Sequence, residues 1–195
     1  MKRILFPLLL AATVASPALA QQLTPTEKFN GFLCCNMRAI GGWISDSNYD
    51  ADASQESQIF PLGTPIQVTG YGRHRAYVLI NGEEYALGND YSRNLLLLAF
   101  TKRYVVPNNP KEKLAQFPPR IQEAIRNSKV TQGMTREQVI MSVGYPMASE
   151  NPSLDANIWR FWRGSFLEFR VRFDAAGLVD RIDADMEIEH KVIQR

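Results

Sequence analysis

Histidine and cysteine are scarce in this chain, with two of each among 195 residues. His74 and His190 alone leave little choice of general base or of nitrogen metal ligand. Two cysteines are too few for the disulfide framework that stabilises a coreless secreted domain. Charge of one sign is lacking as well. The 22 Lys and Arg residues stand against 20 Asp and Glu, and a formal net charge of +2 is too weak a field for a nucleic-acid partner. Beyond the N-terminus no long hydrophobic run occurs: Leu95 to Phe100 is six residues, far below the ~20 of a membrane-spanning helix. Reaction motifs are missing too. The sequence has no glycine-rich phosphate loop and no His-Glu-x-x-His, and Gly164-Ser165-Phe166 lacks the second glycine of a nucleophile elbow. What is present is an ordinary globular composition, 45% hydrophobic and 22% charged, enough for one large or two small domains.

Residues 1–20 read as a secretory signal peptide. Lys2 and Arg3 supply the charged start, Ile4 to Val14 the apolar stretch, and Ala18-Leu19-Ala20 the small residues around the cut. Pro7 and Pro17 interrupt the segment and argue against a membrane anchor. Cleavage after Ala20 predicts a periplasmic protein with no transmembrane segment in the mature chain. Lys2 and Arg3 account for the whole charge excess, so any attraction to an anionic partner must come from local patches.

The cysteines are the adjacent pair Cys34-Cys35. Neighbouring Cα atoms lie ~3.8 Å apart, below the ~4.4 to 6.8 Å usual for disulfides, so a bond between them would be strained. Two small buried thiols, a vicinal disulfide and a bond to another chain are the open alternatives. Cys34, Cys35 and Met37 have soft-ligand chemistry but no His beside them, and a Cys35 nucleophile would need His74 as its base. No catalytic residue, cofactor or metal is expected.

Four segments follow from the punctuation. After the signal peptide, residues 21–58 are polar with scattered apolar islands and predict an ordered but irregular N-terminal arm. Residues 59–117 carry strand signals: Gly63-Thr64-Pro65 marks a turn, Ile66-Gln67-Val68 alternates, and Ala76 to Ile80 meets Glu83 to Leu87 across Asn81-Gly82, a two-residue hairpin signature. A connector with a short helix over Lys111 to Gln116 ends at Phe117-Pro118-Pro119. This order of a Gly-Thr-Pro turn, short strands and a Gly-rich loop at Tyr71-Gly72 resembles bacterial SH3-like domains, which implies a small antiparallel β domain.

Residues 118–195 have a different pattern. Ile121, Ala124 and Ile125 share one helix face. Thr135 stands three residues before Gln138, a capping box, with Met134 and Val139 placed as a hydrophobic staple, and Gly144 and Pro146 end that helix. Leu167, Phe169, Val171 and Phe173 alternate with charged residues, as do Ile182, Ala184, Met186 and Ile188, which predicts half-buried antiparallel strands. Val130, Gly133-Met134-Thr135, Val139, Gly144-x-Pro146, Trp159 and the hairpin Val171 to Val179 together resemble the SmpA/OmlA domain, the fold of the small lipoprotein subunit of the outer-membrane β-barrel assembly machine. The resemblance implies a two-helix, three-strand (BamE-like) unit and no catalysis. There is no lipobox, and an additional β-rich segment precedes the motif, so membership of that machine is not implied. The fold class expected is α+β.

Interaction residues are expected in two places. Tyr71, Arg73, His74, Arg75 and Tyr77 form an aromatic and basic group in the first unit, and Arg160, Trp162 and Arg163 form another on the strand after Trp159. The acidic row Asp183, Asp185, Glu187 and Glu189 is read as one outward strand face answered by Arg170 and Arg172 across the hairpin. The expectation for function is a non-enzymatic periplasmic module that binds an envelope protein or assists envelope assembly. A cell-wall or small-ligand binder using Tyr71 and Tyr77, and a secreted hydrolase inhibitor, are the alternatives.

Overall fold

The computed structural model describes residues 25–50 and 55–195, and residues 1–20, read from the sequence as a signal peptide, lie outside them. The chain is α+β, with two sheets and a few short helices. Strands β1 (Phe29–Leu33), β2 (Met37–Ile40), β3 (Trp43–Ser45), β4 (Ser57–Phe60), β5 (Pro65–Tyr71), β6 (Arg75–Ile80), β7 (Glu83–Gly88) and β8 (Val105–Val106) make one curled half-barrel in the order β4-β2-β3-β7-β6-β5-β1-β8. Neighbours are antiparallel except β3 and β7, which run parallel with Ile44 opposite Leu87. The Asn81-Gly82 turn has φ of 54° and 86° and joins Ile80 to Glu83, the positive pair that a type I′ hairpin needs.

Two expectations are corrected in this half. Residues 21–58 are not an irregular arm, because β1 to β3 and the start of β4 lie within them and enter the sheet. These strands are three to five residues long, too short for alternation to register. Leu95 to Phe100 does not continue the β segment either. Helix α1 (Leu97–Tyr104) starts in it with no side-chain cap at Leu96, and its buried Phe100 and Tyr104 join the barrel's core. A run of leucines carries no period, so strand and helix are alike until tertiary packing decides.

The second half holds α2 (Pro110–Leu114), α3 (Pro119–Arg126), α4 (Arg136–Val143), β9 (Ile158–Gly164), β10 (Leu167–Phe173), β11 (Val179–Ala184) and α5 (Glu189–Val192), with strand order β11-β10-β9. Helix α4 starts as the sequence predicts: the Thr135 hydroxyl accepts from the Gln138 amide at 3.3 Å, and the Gln138 side chain accepts from the Thr135 amide at 2.8 Å. Ile121, Ala124 and Ile125 of α3 and Val139 and Val143 of α4 share one core with Trp159, Phe161, Phe169, Val171 and Phe173. Phe169 is 1% exposed, and burying a side chain of that size contributes about 1.5–3 kcal/mol. The acidic row is also corrected. β11 ends at Ala184, the chain turns through Met186 to Ile188, and Glu189 begins α5, so Asp185, Glu187 and Glu189 are not strand residues.

The halves meet at Asn36, which is 2% exposed and follows the cysteine pair. Its side-chain amide donates to the carbonyls of Ile125 (2.6 Å) and Ser142 (3.2 Å), its side-chain oxygen accepts from the Leu62 amide (2.8 Å), and its backbone amide donates to the Met141 carbonyl (3.1 Å). Asn48 bridges the same seam, donating to the carbonyls of Asn36 and Val143. Cys34 and Cys35 are joined as a vicinal disulfide and buried in the first core.

Candidate functional site

Large apolar side chains in water mark where a fold leaves contact unused. Two of them stand out at one end of the three-stranded sheet: Phe166 is 91% and Met186 is 89% exposed. Phe166 occupies the turn between β9 and β10, where Gly164 faces Leu167. Met186 follows β11. The two loops are tied together, because the Asp185 amide donates to the Glu168 carbonyl at 3.2 Å and the Glu168 amide donates to the Asp185 carboxylate at 2.8 Å. Sequence alternation assigns Met186 to the buried face of a longer strand. The early end of β11 releases it.

The outer face of this sheet is polar and internally paired. Arg160 reaches Glu150 at 3.2 Å and Glu168 at 3.4 Å, Arg170 reaches Glu168 at 2.5 Å, and Arg172 and Arg181 reach Asp183 at 2.6 and 2.5 Å. The hydrogen bond from Arg172 holds the Asp183 carboxyl below the usual range. Trp162 lies half-buried on this face, with the Arg160 guanidinium 5.9 Å from its ring centroid. Arg163 is on the opposite side. Strand parity puts it with Trp159 and Phe161, and it is 3% exposed. Burial, and after it the like charge of Arg38, lowers its guanidinium pKa to about 9, while Asp50 at 3.8 Å acts the other way. The three residues expected to act together on this strand are therefore divided, with Arg160 and Trp162 outward and Arg163 inside.

In the first half the aromatic and basic group is divided too. Tyr71 packs against the barrel core with its hydroxyl enclosed, and burial raises its pKa. The Arg75 guanidinium stacks 3.8 Å from the Trp43 centroid, and Trp43 in turn donates to the Asp90 carboxylate at 3.1 Å. His74 is half-buried and its carbonyl accepts from the Asn89 amide. Arg73 and Tyr77 are exposed. Among the described residues, no group of three or more His, Cys, Asp and Glu is arranged to hold a metal ion, and no helix is long and apolar enough to cross a membrane. No protein-family model, curated protein or solved structure matches the chain.

Proposed function

We propose that the chain is an exported, non-enzymatic envelope protein that binds another envelope protein through the apolar tip formed by Phe166 and Met186. The single observation that carries this reading is the near-complete exposure of both side chains on two tied loops. Exposed aromatic and Met side chains are the residue types that anchor partner surfaces. Flanking Trp162 and the paired charges of Arg160 and Glu168 supply the polar surroundings of such an anchor. The reading is supported by the signal-peptide pattern of residues 1–20 and by the order α3, α4, β9, β10, β11 within the second half, the kind of order the SmpA/OmlA resemblance implies. On this proposal the first sheet is an enlarged relative of an SH3-like β unit that carries the second.

The double variant Phe166→Ser, Met186→Ser tests it. Its far-ultraviolet circular dichroism and urea midpoint should match the native protein, while co-purification of the envelope partner is lost. A partner retained in full by this variant contradicts the tip as the binding surface.

A further inference from the structure

A second surface, independent of the apolar tip, lies where the two halves join. A cleft of about 480 Å³ is lined there by Arg38, Asp50, Ser57, Lys129, His190 and Lys191, beside Gln58 and Ile59 of the edge strand β4. Asp50 faces Arg38 at 3.0 Å, Lys191 at 3.5 Å and Arg163 at 3.8 Å. Lys129 adds a further cation, placed by the end of α3, where Ser128 takes φ of 54° and the Lys129 amide returns to the Ala124 carbonyl at 2.9 Å. Among the described residues lining the cleft, the three cations Arg38, Lys129 and Lys191 stand against the carboxylate of Asp50, a surplus of two positive charges. The nearby Glu189 is engaged by Arg195 at 2.8 Å.

Two donors in this group are unsatisfied. Arg38 Nη1 and, behind the cleft's lining, Arg163 Nε are buried with no hydrogen-bond partner among the described residues, an arrangement that is costly for a charged group. We infer that this cleft is a binding site for a phosphate group, seated on Arg38, Lys129 and Lys191 with the Ser57 hydroxyl and His190 at its rim. A phosphate dianion neutralises more of the surplus than a single carboxylate does, and its oxygens offer several acceptors to guanidinium and ammonium donors. Asp50 bridges Arg38 and Lys191, and Lys129 is in no ion pair among the described residues.

The two histidines make the test specific, since His190 lines the cleft and His74 does not. Inorganic phosphate, added to the purified protein in a phosphate-free buffer, should move the His190 ring-proton resonance saturably and leave that of His74 in place. Lys129→Gln should weaken the binding about tenfold with an unchanged circular dichroism spectrum. Lys102→Gln, which removes a lysine paired with Glu27 outside the cleft, should leave it unaltered. Sedimentation with vesicles of phosphatidic acid in phosphatidylcholine distinguishes the source. Co-sedimentation that Lys129→Gln weakens, without a response to inorganic phosphate, assigns the group to a lipid headgroup. A response to inorganic phosphate alone assigns it to a soluble ligand, and both responses support the site. Neither response, or equal responses in the native protein and Lys129→Gln, overturns the proposal.

Discussion

Asn48 donates its side-chain amide to the Asn36 carbonyl at 3.1 Å, and each of these two asparagines also reaches a carbonyl of α4, Ser142 from Asn36 and Val143 from Asn48. The side chains of these two asparagines thus have their donors and acceptors matched, at a seam lying between two apolar cores. Such matched contacts specify one docking geometry, because displacement strands buried polar groups.

Replacement of Asn36 by Ala should be among the most damaging single changes in the protein. It strands the Leu62 amide and the carbonyls of Ile125 and Ser142, each buried group costing about 1–3 kcal/mol. Urea unfolding should show a loss of about 3 kcal/mol or more. A loss within about 0.5 kcal/mol, the range of a surface substitution, would mean that the two halves do not depend on this side chain.

Gly144 follows α4 at the same seam with φ of 85° and ψ of 178°, a region that only glycine enters readily. A Cβ there would make ordinary van der Waals contact with Asn48 Nδ2 at 3.4 Å and Met37 Sδ at 3.5 Å, so the backbone conformation carries the cost. Gly144→Ala should therefore lower stability by about 1–3 kcal/mol, read as a fall in the urea midpoint.

Asp46 gives a pH dependence with a defined sign. Its carboxylate is buried beneath the amides of Asp90 and Tyr91, and burial raises its pKa above the model-compound value of 3.8 in spite of the hydrogen bonds it accepts. Between 3.8 and that raised value the folded chain holds a proton that the unfolded chain has released. Stability from this group is therefore present at low pH and declines as pH rises through the window. Urea midpoints measured from pH 3.5 to pH 7 should show the native protein losing stability relative to Asp46→Asn across that interval. A difference that stays constant or grows with pH contradicts the assignment.

Much of the second half was legible in the sequence because its signals are local. The Thr135–Gln138 box needs only four consecutive residues, and the alternation Leu167, Phe169, Val171, Phe173 needs only one buried face. The first half was less legible. Its strands β1 to β4 are short and pair across long sequence separations, as β3 does with β7, and no local pattern carries such a partnership. The same reason hid the phosphate cleft, whose members run from Arg38 to Lys191. One signal for it was present. Arg163 shares strand parity with Trp159 and Phe161, so alternation alone places a guanidinium on the core side, where it needs a carboxylate partner. The exposed tip was hidden by the opposite effect, since the periodicity through Met186 outlasts the strand itself.

The central claim is that Phe166 and Met186 form a partner-binding tip, and site-specific photo-crosslinking in intact cells tests it most directly. A photoreactive residue at position 166 should give a discrete adduct with an envelope protein, and the same residue at Glu84, exposed on the first sheet, should not. No adduct at position 166, or an identical adduct from position 84, would contradict the account.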